Sequence, residues 1–255
     1  MKYVPKLIAL ALFAVVAAPA RGADAPATRP AAAPGERPTV KMTAKHPKTK
    51  EDLVVLLDWN DAPAAEGYAR RAGEYALKVY PQIEQALASD GYTPTREFRL
   101  LFKPVPNGTP AYASGTTITC NSDYVTKGGK DDLGMVGHEL AHVIQRYRRG
   151  NVDSGWLTEG IADWVRYYVL EPGSPRARFD VDKAKFKDAY QPAAAFLDYL
   201  ERTKGPGVVS KLNAALRAGK YKPEMLQELV GGAPEEAFEK FRAEAKEKRA
   251  KKKAA

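Results

Sequence analysis

The string His138-Glu139-Leu140-Ala141-His142 constrains this chain more than any other stretch. On an α-helix, side chains four residues apart share a face, so the two imidazoles point the same way. Imidazoles at that spacing can share a Zn²⁺ ion, and a glutamate beside the first is placed to take a proton from water. The flanks suit a buried helix. Leu140, Ala141, Val143 and Ile144 are apolar, and neither glycine nor proline interrupts Glu139 to Arg149. An H-E-x-x-H string also arises by chance, and this one gains weight from the residues downstream of it.

A short turn leads to Trp156-Leu157-Thr158-Glu159-Gly160-Ile161-Ala162-Asp163-Trp164-Val165-Arg166. The spacing predicts a second helix packed as a near-antiparallel neighbour of the first. Glu159 and Asp163 share a face among Trp156, Ile161, Trp164 and Val165. Carboxylates on an apolar helix need partners, because burying an unpaired charge is costly. A zinc ion supplies one. Glu159 completes a His₂Glu set with the fourth position open to water, and Asp163 accepts the free N–H of a ligating histidine. The alternative is a surface face with Asp163 paired to Arg166 at i+3. Should Glu159 point away, Asp163 or Asp153 takes its place as third ligand.

Charge locates the rest. Of the net +9 carried by 255 residues, three units fall in residues 1–22 and six in residues 240–255, which leaves residues 23–239 neutral. A basic groove built into the fold, and with it a nucleic-acid partner, is therefore not expected. Residues 1–22 read as a secretory signal peptide: Lys2 and Lys6 precede an apolar run from Leu7 to Ala18, and small residues come after it. That run is too short for an ordinary membrane span, so the mature chain is expected outside the cytoplasm, secreted or periplasmic, without stable membrane insertion. Residues 23–44, with Pro26, Pro30, Pro34 and Pro38, read as an Ala/Pro-rich linker. Residues 45–242 form the expected domain. Residues 243–255 form a basic tail, suited at most to weak contact with anionic envelope polymers. The single Cys120 cannot form an internal disulfide and reads as a small buried hydrophobe.

Periodicity supplies the elements. Asp52 to Trp59 reads as a strand. A helix then runs to about Ala88, with Asp61 as N-cap, Pro63 near its first turn, and Pro81 as a point of kinking or splitting. Arg96 to Val105 reads as a half-buried strand with Phe98, Leu100 and Phe102 on one face. Tyr112 to Cys120 reads as a strand interrupted by Gly115. At a sheet edge it can pair with an extended peptide. Residues 121–130 read as a polar loop, Asp131 or Asp132 as the opening of the metal helix, Arg146, Arg148 and Arg149 as its last turn, and Gly150 as its left-handed stop. Residues 172–175 and 179–189 read as loops. Helices are expected from Tyr190, over 208–216, over 223–230 and from Pro234, the last fading into the tail.

A peptide-hydrolysing centre also needs a donor for the oxyanion. With His46 near the linker and no third histidine at hand, a tyrosine is the candidate, and Tyr190 and Tyr112 are the two proposed. The metzincin extension is excluded, because Gln145 and Arg148 stand where it requires Gly and His.

His138 to Gln145, the Glu159 to Arg166 block, Ala194-Ala195-Phe196-Leu197-Asp198-Tyr199 and Ala111-Tyr112-Ala113-Ser114-Gly115 together resemble the plant basic secretory protein family. Bacterial relatives are grouped with it as zinc peptidases of plants and bacteria. The resemblance spans roughly residues 45–242. It implies an α+β, zincin-like, gluzincin-type fold: a small mixed sheet, a helix before the H-E-x-x-H helix, and a mostly α-helical C-terminal part. It implies metallopeptidase activity on a peptide or protein substrate, with His138 and His142 as ligands and Glu139 as the catalytic residue. Similarity to the thermolysin-like E-x-x-x-D arrangement points to Glu159 as third ligand. The basic tail departs from the family. Two rival readings stand beside this one: an envelope-binding protein that keeps fold and metal with little catalysis, and a helix pair bearing a fortuitous motif.

Overall fold

The computed structural model describes residues 39–147 and 153–254. The expected signal peptide, and with it most of the expected linker, lies outside the described residues, as do Arg148, Arg149 and Gly150. Strand β1 (Val40–Lys45) is followed by β2 (Asp52–Asp58), helix α1 (Glu66–Ala86), β3 (Glu97–Lys103), β4 (Ala111–Ser114) and β5 (Thr117–Asn121). These make one five-stranded sheet in the order β1-β2-β3-β5-β4. The β2–β3 and β3–β5 pairs are parallel, and the two outer pairs are antiparallel. A parallel β2–β3 pair requires a crossover, which α1 provides. The expected zincin-like α+β arrangement is present, with the sheet first and helices after it.

Each strand reflects its sequence. In β3, Phe98, Leu100 and Phe102 are buried while their neighbours are half-buried, the period of two expected of a sheet with one face on the core. β1 takes residues assigned to the linker: Val40, Met42 and Ala44 alternate with polar residues and pack against the core, so residues 40–44 belong to the sheet. The stretch from Tyr112 is not one strand. Gly115, at φ 60°, turns it into the β4–β5 hairpin, and β4 becomes the sheet edge.

Helix α1 begins with a 3₁₀ turn over Pro63–Ala65 whose N-cap is Ala62 rather than Asp61, and it runs unbroken through Pro81. A short helix α2 (Ser122–Thr126) replaces the first part of the expected polar loop, capped by the Asn121 side chain accepting from the Asp123 N–H. Helix α3 (Gly134–Gln145) carries the motif and is buried along almost its whole length. Neither aspartate caps it. The N-cap is Leu133, and Asp132 is held by Arg166 instead. The helix ends earlier than the arginine run suggests, with Arg146 itself in the left-handed region at φ 44°. Helix α4 (Gly155–Trp164) comes next and continues as a π-helical turn over Val165–Leu170. After the two expected loops come α5 (Gln191–Lys204), α6 (Val208–Ala218), α7 (Pro223–Val230) and α8 (Pro234–Ala254). The last does not fade into its basic stretch. Glu244–Lys248 and Glu247–Lys251 pair at i,i+4, and Lys246 and Arg249 reach Asp182. Among the described residues, no helix is long and apolar enough to cross a membrane.

Two contacts position α3 and α4. Gly160 lets α4 approach α5, since a Cβ there would stand 2.5 Å from that of Ala193. At the far end of α3, Arg217 of α6 donates from Nε to the Gln145 carbonyl (3.1 Å) and from Nη2 to the Ile144 carbonyl (3.2 Å). A cation at a helix C-terminus complements the dipole and satisfies carbonyls left without intrahelical partners. Arg217→Met removes the donor to the Gln145 carbonyl, while the Ile144 carbonyl keeps the Tyr92 hydroxyl at 2.9 Å. We expect it to lower stability by about 1–3 kcal/mol in urea or thermal unfolding, with Cm shifted at constant m.

Candidate metal centre

His138 and His142 project from one face of α3, and Glu159 projects toward them from the second turn of α4. Their donor atoms converge. The two Nε2 atoms are 3.1 Å apart, and Glu159 Oε2 lies 3.3 Å from each. Donors held about 2.0–2.2 Å from one tetrahedral zinc ion stand roughly 3.3–3.5 Å from one another, so this triangle has the size such an ion requires. The His₂Glu cluster can therefore hold a metal. Asp153, the other carboxylate considered, is elsewhere, paired with Lys187.

Behind each imidazole stands an acceptor. Asp163 Oδ1 is 2.7 Å from His138 Nδ1, and Gln145 Oε1 is 2.7 Å from His142 Nδ1. Each interaction places a proton on Nδ1 and turns the Nε2 lone pair toward the cluster. The surface pairing of Asp163 with Arg166 does not occur; Arg166 turns to Asp132 and Glu171. Gln145 is the residue that sequence reasoning missed. Its signal was its place three residues after His142, the spacing at which helix side chains meet.

Glu139, one position along α3 from His138, is buried and lines the same cleft as the ligand triangle. Burial is the largest influence on its carboxyl and raises its pKa. The neighbouring histidines and the backbone N–H of Ala113 on β4 pull the other way. That N–H is available because of register. Asn121 N–H donates to the Pro110 carbonyl, so the hydrogen-bonded pairs of the hairpin fall at Pro110, Tyr112 and Ser114. The main-chain groups of Ala111 and Ala113 therefore face outward, off the sheet edge.

The two tyrosines differ in placement. Tyr190, at the N-cap of α5, stacks on His138 with ring centroids 6.2 Å apart. The negative charge of Glu159, and after it burial, raises its pKa, so its hydroxyl keeps its proton. Its backbone sits at φ 63°, ψ −131°, a region that residues with a Cβ rarely enter. Tyr112 borders the same cleft, but its side chain leaves the sheet on the face opposite Ala111 and Ala113. The cleft has a volume of about 970 Å³ and runs from β4 across the two histidines to Tyr167 and Gln191.

Residues 68–241 match the family model described as peptidase of plants and bacteria. The chain belongs to this family. No curated protein matches the chain in sequence. Its fold is similar to that of a two-domain M1 zinc metallopeptidase, solved as a mutant bound to L-tryptophan. The TM-score is 0.50 and identity 16%, over 81% of this chain and 51% of that one. The same protein type bound to L-arginine matches with a TM-score of 0.49 and 15% identity, over 81% and 51% of the two chains. An M1 zinc metallopeptidase from Deinococcus radiodurans matches with a TM-score of 0.47 and 15% identity over the same shares. The chain thus spans about half the length of these structures. Its fold is that of a zincin-like metallopeptidase.

Without a cation the three acceptors would repel one another, and a proton answers that repulsion. Burial pulls the pKa of His138 down, but its hydrogen bonds to Asp163 and Glu159 outweigh this and lift it to about 9. Glu159, pushed up by burial, is brought down to about 2 by its hydrogen bonds to the two histidines. In the metal-free chain the His138 contribution to stability is full below its usual 6.5 and is lost as pH rises through about 9. The Glu159 contribution is full above its usual 4.5 and is lost as pH falls through about 2. Thermal unfolding in chelator should show Tm declining from pH 6.5 to 9, and Asp163→Asn should flatten that decline.

Proposed function

We propose that this protein is an exported zinc metallopeptidase that hydrolyses peptide bonds in extended polypeptides. The observation that carries the reading is the convergence of two imidazole nitrogens and a carboxylate oxygen beside a buried glutamate in an open cleft. Two neutral histidines and one carboxylate are the donor set of catalytic zinc sites of the His₂Glu type, and the donor spacing fits. A zinc ion held by His138, His142 and Glu159 would supply Lewis acidity and bring the pKa of a bound water toward neutrality.

The chain's own residues do the rest. Glu139 takes the proton of the attacking water and returns it to the leaving amine. Its raised pKa suits a base that must also act as an acid. Tyr190, protonated and stacked beside His138, donates to the carbonyl oxygen as negative charge develops. Asp163 holds the His138 ring and its tautomer. β4 offers the outward main-chain groups of Ala111 and Ala113, to which an extended substrate adds as a further strand. Tyr112 flanks that edge and takes the lesser part.

The neutral body supports a peptide partner over a nucleic acid, and the charged leader at residues 1–22 supports export to the periplasm or beyond. The salt bridges along α8 leave the basic tail only weak attraction for anionic envelope polymers.

Glu139→Gln should retain one zinc per chain by metal analysis and lose about 10²–10⁴-fold in kcat on an unfolded protein substrate. Equal activity in both forms would assign the base elsewhere. A wild-type chain that binds zinc and cleaves nothing in a peptide library would favour the envelope-binding reading. Tyr190→Phe should lower kcat by about 10²–10³-fold with KM little changed, and a rise in KM alone would make it a binding residue. The acid limb of kcat/KM should report a pKa above the 4.5 usual for glutamate, and a pH profile from 4 to 9 measures it.

A further inference from the structure

We infer that Gln145 is a positioning residue of the metal centre, one side chain that sets the tautomer of His142 and anchors the turn of α4 that carries Glu159. The inference rests on the metallopeptidase reading and adds a residue to it.

Gln145 is only 1% exposed, so its amide must find its partners inside the protein. Its Nε2 donates to the carbonyl of Thr158 at 3.0 Å, and its Oε1 stands 2.7 Å from His142 Nδ1. The amide has one workable orientation. Turned over, it would set its oxygen against the Thr158 oxygen, two acceptors at hydrogen-bond distance. With Nε2 committed to a carbonyl, only an acceptor is left for His142, so His142 Nδ1 must be the N–H. A neutral imidazole carries one N–H, and the Nε2 lone pair is then the group presented to the cluster.

The second half of the argument concerns Glu159. Thr158 is its immediate neighbour in α4, and the carbonyl that Gln145 holds belongs to the peptide unit joining the two. One buried side chain on α3 thus fixes a ligand on its own helix and the backbone beneath the ligand on the next. Gln145 is itself held: its own carbonyl receives Arg217 Nε at 3.1 Å. His138 is served the opposite way, by a carboxylate reaching back from α4. α3 and α4 are therefore tied together at both histidines, through Gln145 to the Thr158 carbonyl and through Asp163 to His138, and only the second of these is visible as a charged pair.

The test uses the full chain with Gln145→Leu and Gln145→Glu. Zinc dissociation constants come from competition with a chromogenic chelator, and Co²⁺ loading gives a visible spectrum that reports ligand geometry. Thermal unfolding of the metal-free forms reports packing. Gln145→Leu removes both functions and should weaken zinc binding by about 10–100-fold and alter the cobalt spectrum. Gln145→Glu keeps an acceptor toward His142 but loses the donor to the Thr158 carbonyl, so its zinc affinity should lie above that of the leucine form and below wild type. Wild-type zinc affinity and cobalt spectrum in Gln145→Leu would overturn the inference while leaving the metallopeptidase reading intact. Equal weakening in both variants would also overturn it, since packing alone would then explain the loss. If Gln145→Leu does not fold, Gln145→Glu decides: metal retained supports the role, metal lost refutes it. A wild-type chain that takes up no zinc would overturn the metallopeptidase reading itself.

Discussion

Three electron-rich atoms crowded within about one bond length of a common point is an arrangement no chain adopts unless something positive is meant to sit there. Here two Nε2 atoms and one carboxylate oxygen stand 3.1 and 3.3 Å apart, and everything around them holds that tension in place. Asp163 and Gln145 stop the rings from turning their N–H groups inward. Gly160 sets how closely α4 lies on α5 and so fixes the platform of Glu159. Arg217 anchors the end of α3 from more than seventy residues downstream, its guanidinium lying over the Tyr92 ring.

The parts of this site that sequence alone could show are those written at helical spacing. His138 and His142 are four apart, as are Glu159 and Asp163, and such pairs share a face whatever the tertiary structure does. The general sheet-then-helices order was legible for a similar reason, since Phe98, Leu100 and Phe102 alternate and Leu53 to Leu57 make a compact apolar run. What could not be read depends on groups distant in sequence. Asp132 stands where an N-cap belongs, but Arg166 claims it, thirty-four positions away. The arginines after Gln145 suggest a longer helix, but the cation that satisfies its carbonyls comes from α6. β1 was hidden by its neighbours: Val40, Met42 and Ala44 alternate correctly, directly after a proline-rich run that argues for linker. Gln145 was overlooked because its role appears only once Thr158 is known to face it.

The likeness to M1 zinc metallopeptidases at 16% identity concerns the scaffold. In this fold a sheet edge lies beside the helix that carries the two histidines. In this chain that edge is β4, four residues long, and its register turns the main chain of Ala111 and Ala113 outward, away from β5. The Ala113 N–H already serves Glu139. The same short segment thus touches Glu139 and, on the proposed function, offers a place for an extended chain to lie, which would tie the alignment of a substrate to the charge of that glutamate.

Tyr190 carries one more implication. A residue with a Cβ held at φ 63°, ψ −131° costs on the order of 1–3 kcal/mol relative to a relaxed backbone, and glycine in that place would be free of it. Random change at this position is therefore pulled in two directions: toward a sturdier molecule that lacks the phenol, or toward keeping the ring at a permanent thermodynamic disadvantage. On the proposed role of Tyr190, a lineage without turnover would be expected to drift toward glycine there, so the identity of this one amino acid in related chains is a gauge of whether selection acts on the phenol.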